Sequence, residues 1–246
     1  MITRSQVKYI QSLSEKKFRK EAGCFIAEGP KIINEFLANS DPELVSLFAT
    51  ASWIAEAKKS ALPFDQSKLL AIGESELKSI SFLTTPNQVL GLFHLGTAPM
   101  KQDYHGKISL LLDGIQDPGN LGTIIRIADW YGIEHIVAGP NCADAYNPKV
   151  VQASMGSISR VKILYEDLEE FISVHNDIPV YAATLEGTSV PRVEEGFLLI
   201  GNESRGVNAK LIQSANYQVT IPRFGKAESL NAAVATGIIL SAMRSD

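Results

Sequence analysis

Glycines, carboxylates, an arginine and side-chain amides recur at the ends of three apolar runs in the second half of this chain. The first run is followed by Asp117-Pro-Gly-Asn-Leu-Gly-Thr-Ile-Ile-Arg126. The second is Leu198-Leu-Ile-Gly-Asn-Glu-Ser-Arg-Gly-Val207. The third leads into Ile221-Pro-Arg-Phe-Gly-Lys-Ala-Glu-Ser-Leu-Asn231, and a run of small residues follows. Strand ends are where an α/β sheet builds a ligand pocket. Glycines let backbone approach a ligand, and a helix N-terminus favours an anion. Together the segments point to a nucleotide-type cofactor and a polar reacting group.

Each of these residues also has a plainer role. Gly119 and Gly122 serve as turn and packing glycines, and Asn120 as a turn residue or helix cap. Glu203 could complement a helix N-terminus, and Ser229 could cap a helix, with Asn231 close behind. Arg126 falls in the early turns of a helix. Its neighbours Ile124, Ile125, Ile127 and Ala128 make a free surface arginine less natural. Two common phosphate motifs are excluded. The glycine spacing is not GxGxxG, and the next strand ends in Gly139-Pro140 without an acid for a ribose. Gly201 to Gly206 has the gap of a P-loop but continues Val-Asn rather than Lys-Ser.

The elements that must hold these residues can be read from the pattern. A helix is expected over 3–20, a strand near 24–27, helices at 30–38, 52–59 and 74–80, and strands at 44–49, 68–72 and 89–95. Gly96 to Gly106 has turn formers and no periodicity, which marks a linker over 97–106. A second series follows. Strands are expected at 108–113, 134–138, 161–164, 180–184, 196–201 and 217–221, and helices at 121–131, 148–155, 168–175, 208–214 and 230–243. Apolar strands flanked by helices imply a mostly parallel sheet covered on both faces. The expected class is α/β, with domains at 1–96 and 107–246.

Composition bounds the remainder. Hydrophobic residues are 45% of the 246 residues, enough for a sizeable core, and the net charge of −4 gives no global basic field for nucleic acid. Within residues 1–20, however, Arg4, Lys8, Lys16, Lys17, Arg19 and Lys20 stand against Glu15 alone. The cysteines, Cys24 and Cys142, lack metal or disulfide spacing, which fits a reducing, cytoplasmic setting. The N-terminal residues lack an apolar signal core, and no apolar run is long enough to span a membrane.

The three segments resemble the three motifs of the SpoU/TrmH family of RNA ribose 2′-O-methyltransferases, of the knotted SPOUT class. The motifs are Asn120-x-Gly122-x-x-x-Arg126, Gly201-Asn202-Glu203-x-x-Gly206 and Ile221-Pro222-x-x-Gly225-x-x-x-Ser229-Leu230-Asn231. Pro148-Lys149-x-x-x-Ala153-Ser154-x-Gly156 matches an intervening family segment. Residues 1–96, with Phe25-Ile-Ala-Glu-Gly-Pro-Lys31 and Thr85-Pro-Asn-Gln-Val-Leu90, are similar to the L30e-like substrate-binding extension of the family. Ser204-Arg205, Arg223-Phe224 and Ala232-Ala233 depart from common family residues, but no core polar group is lost.

The resemblance implies a C-terminal trefoil knot, a rare exception to unthreaded topology, and S-adenosylmethionine held by the knot loops. The matched cofactor positions are Thr184, Leu185, Gly187, Gly201, Asn202, Ile221, Ser229 and Leu230. It also implies catalysis by Arg126, oriented with the ribose and cofactor by Asn120, Glu203, Ser229 and Asn231, without a metal. The expected partners are ribosomal rather than transfer RNA, met by the basic cluster of residues 1–20, and a second copy of the chain. Transfer RNA methylation, base methylation, a non-catalytic RNA-binding protein on the same fold and a nucleotide-binding oxidoreductase are the alternatives.

Overall fold

The computed structural model describes residues 1–39, 42–96 and 102–244. In chain order the elements are α1 (Arg4–Ser12), α2 (Lys16–Ala22), β1 (Cys24–Glu28), α3 (Pro30–Ala38), β2 (Leu44–Ala49), α4 (Ala51–Lys59), β3 (Leu69–Ala71), α5 (Glu74–Ile80) and β4 (Val89–His94). There follow β5 (Ile108–Asp113), α6 (Pro118–Trp130), β6 (His135–Ala138), α7 (Pro148–Ser154), β7 (Lys162–Tyr165), α8 (Leu168–Val174), β8 (Val180–Ser189), β9 (Gly196–Gly201), α9 (Ala209–Ser214), β10 (Tyr217–Thr220) and α10 (Ala232–Arg244). They form two compact units: Met1–Thr97 with Tyr146–Ser159, and Ala98–Ala145 with Arg160–Asp246.

The first unit carries a four-stranded sheet in the order β1-β4-β2-β3. Strand β4 runs antiparallel to both neighbours, and β2 pairs with β3 in parallel. Phe25, Phe36, Trp53 and Phe93 fill the core on one face; Ile10, Leu13, Ile26 and Leu90 fill it on the other. Residues 146–159, read from the sequence as part of the second domain, supply Val151 to the first of these cores. The Tyr146 ring lies 4.7 Å from that of Phe25.

The helix expected over 3–20 is two helices. Its carbonyls are diverted at the break. The guanidinium of Arg19 donates to Leu13 O at 2.7 Å and to Ser14 O at 2.8 Å. These bonds satisfy groups at the end of α1 that have no partner within the helix.

The second unit is a six-stranded sheet in the order β10-β8-β9-β5-β6-β7, parallel throughout. Leu110, Leu111 and Leu112 of β5 are fully buried, as a strand covered on both faces requires. Helices α8 and α9 bury Phe171 and Leu211 against one face. Helix α10 packs on α6 and β9. The linker expected over 97–106 lies outside the described residues for 97–101. Beyond that gap, Tyr104 is buried among Phe171, His175 and Phe197, so the chain is already anchored in the second unit there.

The chain leaves β5 toward β6 and β7, whereas β9 inserts on the opposite side of β5. The carboxyl ends of β5 and β9 therefore flank a topological switch point, the usual site of a ligand crevice. Asp113 and Gly201 are the last partners in that ladder.

Candidate active site

Asp117 and Pro118 start α6 three residues earlier than the sequence pattern predicts. Asp117 Oδ1 accepts from Asn120 N at 2.8 Å, and Pro118 occupies the first turn, where a missing N–H costs nothing. The glycine-rich loop expected here is thus the first turns of a helix. Gly119 and Asn120 stand in the opening turn, and the Asn120 side chain remains available for tertiary contacts.

That side chain joins the three motifs. Asn120 Nδ2 donates to Glu203 Oε1 in a very short contact. Asn231 Nδ2 donates to Asn120 Oδ1 at 2.8 Å. Asn231 Oδ1 accepts from Ala233 N at 3.0 Å and Val234 N at 3.3 Å, capping α10. One assignment of amide orientations satisfies the whole chain of bonds. The carboxylate requires the NH₂ of Asn120, which leaves the Asn120 oxygen for Asn231 and the Asn231 oxygen for the helix N–H groups. Asn231, not Ser229, is therefore the capping residue, and α10 begins at Ala232. Ser229 is exposed.

A tight turn holds Glu203. Asn202 Nδ2 donates to Gly114 O at 2.9 Å, tying the end of β9 to the end of β5. Asn202 Oδ1 accepts from Ser204 N at 2.9 Å, and Gly206 N returns to Asn202 O at 2.8 Å. Asp113 Oδ2 accepts from Asn208 N at 2.7 Å and fixes the far side of the turn. A Cβ at Gly201 would overlap the backbone of Gly206 and Val207. Asp113 and Asp117 were not singled out as site residues from the sequence. The Asp-Pro pair before α6 was the available signal for the second.

Arg126 is exposed, and among the described residues its guanidinium makes no hydrogen bond. The apolar neighbours did not predict its environment. Ile124, Ile125 and Ala128 are fully buried because each helical residue turns about 100° from the last. Arg126 is thus not drawn into the Asn120–Glu203–Asn231 chain.

Of the cofactor positions implied by the family motifs, Leu185, Gly187, Ser229 and Leu230 are exposed, whereas Thr184, Gly201, Asn202 and Ile221 are half-buried. Strand β8 extends to Ser189, beyond the predicted end. Its pairing with β10 jumps from Ala182 to Thr188, so residues 183–187 leave the ladder. Thr184 Oγ1 donates to Glu186 O at 2.7 Å within this bulge, and Thr220 Oγ1 donates to Leu185 O at 3.2 Å. A Cβ at Gly187 would sit 2.7 Å from Gln218 O, so only glycine permits this approach. Leu185 is 73% exposed and Leu230 45% exposed. Ile221 is half-buried, and residues 222–231 are exposed throughout. Exposed leucines beside backbone released from the ladder suit S-adenosylmethionine, whose adenine needs apolar cover and hydrogen bonds to its ring edge. Among the described residues no cluster of His, Cys, Asp and Glu could hold a metal ion.

The basic cluster of residues 1–20 is partly corrected. Arg4, Lys8, Lys16, Lys17 and Lys20 are exposed. Arg19 is 2% exposed and spends its guanidinium on the carbonyls of Leu13 and Ser14, so it is a structural residue and no phosphate ligand.

A family model of the SpoU rRNA methylase family matches residues 107–241, and a model of an MRM3-like substrate-binding domain matches residues 4–91. The chain belongs to the SpoU rRNA methylase family. It is 29% identical to the 23S rRNA (guanosine(2553)-2′-O)-methyltransferase RlmP of Bacillus subtilis, over 97% of this chain and 96% of that protein. Its fold matches a TrmH-family protein of Porphyromonas gingivalis with a TM-score of 0.87 and 36% identity, covering 99% and 98% of the two chains. An AdoMet-bound rRNA methyltransferase of Sinorhizobium meliloti matches with a TM-score of 0.84 and 31% identity, over 99% and 95%.

Proposed function

We propose that this protein transfers a methyl group from S-adenosylmethionine to a ribose 2′-hydroxyl of ribosomal RNA. The observation that carries the reading is the hydrogen-bonded chain from Glu203 through Asn120 to Asn231, which joins all three motifs beside the switch point. Family membership and relatives named as rRNA methyltransferases support it.

S-adenosylmethionine supplies a methyl group already activated on a sulfonium. The protein's task is to position the hydroxyl and to stabilise the charge that grows on its oxygen. Arg126 holds the adjacent phosphate and stabilises the forming alkoxide. Guanidinium stays protonated in proteins, so this role is easier than that of a free base. Asn120, Glu203, Asn231 and Ser229 orient the ribose and the cofactor. Thr184, Leu185, Gly187, Gly201, Asn202, Ile221 and Leu230 form the cofactor cradle. The knotted topology of the family is part of this reading.

The reading includes a homodimer. Trp130 is 84% exposed on α6, and Val234 and Ile238 are exposed one turn apart on α10, which packs against α6. Light scattering at micromolar concentration checks this; a stable monomer contradicts it. The protein works in the cytoplasm, a reading supported by its buried free thiols Cys24 and Cys142. No helix among the described residues is long and apolar enough to cross a membrane.

Incubation with methyl-labelled S-adenosylmethionine and ribosomal RNA tests the activity. Label on ribose is expected. Label on a base, or no transfer, overturns it. Comparison of ribosomal and transfer RNA as acceptors checks the substrate class.

A further inference from the structure

Glu28 ends β1 in the first unit and is 5% exposed. Its Oε1 accepts from Phe82 N at 2.7 Å, and its Oε2 from Ser81 Oγ at 2.5 Å. A carboxylate has about four acceptor sites, so roughly half of its capacity is unspent. Burial pushes its pKa above the ordinary carboxylate value, against the two hydrogen bonds. The same residue lines a cavity of about 250 Å³. Ile26, Phe82 and Ala153 supply apolar wall, and Gln152 and Lys149 supply polar wall. All of these residues belong to the first unit. None belongs to the three motifs.

We propose that this cavity receives the guanine base of an unpaired nucleotide in the RNA substrate, with Glu28 accepting from the base. The inference rests on the RNA reading above. Unpaired bases are recognised by stacking on aromatic side chains and by hydrogen bonds to their Watson–Crick edges. The cavity is smaller than a typical ligand pocket and suits one flat ring system. Guanine alone sets two N–H donors side by side on that edge, N1–H and the N2 amino group, and a carboxylate accepts both. Adenine and cytosine offer one amino group. Uracil offers one N–H between two carbonyls that repel a carboxylate. The Gln152 amide supplies a donor for guanine O6, and the exposed Lys149 ammonium a charge for a phosphate. Anchoring residues 81–83 accounts for the two bonds Glu28 already makes, but not for an open cavity beside it.

Titration of the full chain with 5′-GMP, 5′-AMP, 5′-CMP and 5′-UMP, read by NMR at the methyl groups of Ile26 and Ala153, tests the proposal without any variant. GMP is expected to move these resonances at concentrations about tenfold lower than the others. Silence toward GMP, or an equal response to all four, overturns the proposal. Ala153→Phe fills the cavity and leaves both Glu28 bonds in place. It is expected to abolish the GMP response and to raise KM for RNA about tenfold, with kcat and cofactor binding unchanged. GMP binding combined with an unchanged KM for RNA overturns the assignment to RNA. Methyl transfer by the wild-type protein is scored separately. Its absence overturns the proposed activity, whereas a variant matching an active wild type overturns the base pocket alone.

Discussion

Asn231 donates its side-chain amide to the side-chain oxygen of Asn120 at 2.8 Å, across 111 residues of chain. The same Asn231 caps α10, and the same Asn120 holds Glu203. Asn231 therefore fixes a helix start and Asn120 together, and Asn120 passes that constraint to Glu203. Asn120→Ala and Asn231→Ala should each lower kcat on the order of 10²-fold, because a small misplacement of a reacting group costs that much. Their effects should not add, with a coupling of about 0.5–3 kcal/mol in a double-mutant cycle on kcat. Additive effects would show that the bond does not couple the motifs.

Arg126 stands apart from this chain of bonds, and its removal should read differently. Arg126→Ala should abolish methyl transfer and leave S-adenosylmethionine binding nearly intact, as measured by calorimetry. Loss of a group that serves the hydroxyl and its phosphate rather than the cofactor lowers the rate constant without weakening cofactor binding. Near-wild-type turnover would refute the role.

Gly201→Val tests the close passage at the end of β9. Its Cβ would overlap the backbone of Gly206 and Val207, which cannot retreat as a side chain could. The expected cost is about 3 kcal/mol or more, seen in urea unfolding. Gly225→Ala, at a position where a Cβ meets open space, should fold normally.

His135 should leave a pH signature. Its ring is buried beside Tyr104, and burial first, then the Lys107 charge, holds its pKa below the ordinary 6.5. A group with a depressed folded pKa contributes stability that is present above the unfolded value and lost as pH falls through the folded one. The stability of the wild type relative to His135→Leu should therefore decline from pH 6.5 downward. A flat difference between the two unfolding curves over that window would contradict the assignment.

Lys16, Lys17 and Lys20 are exposed where Arg19 is not. Changing these three to alanine should weaken RNA binding and reduce its salt slope by about 2 to 3, by loss of counterion release. Arg19→Ala should instead lower stability, since it leaves the Leu13 and Ser14 carbonyls without a donor. An unchanged salt slope in the triple variant would show that this patch does not meet RNA.

The alternation of elements and the parallel sheet of the second unit are legible in the amino-acid sequence. Periodicity, apolar runs such as Ile108–Asp113, and start signals such as Pro30 act over a few residues, so they are legible in a linear string, whereas the Asp117-Pro118 start of α6 went unread. The sequence also determined which residue types sit at strand ends. Tertiary structure alone decided what those residues touch. Whether Asn231 or Ser229 caps α10 depends on Asn120, which is 111 residues away. Whether Arg19 meets water depends on where α1 breaks. Residues 146–159 lie with the first unit because Val151 and Tyr146 find their apolar partners around Phe25. The glycine at 201 is required by the turn that folds Gly206 and Val207 back against it. Hydrogen bonds and close packing are short-ranged in space but unlimited along the chain, so they are settled only when the fold brings distant segments together.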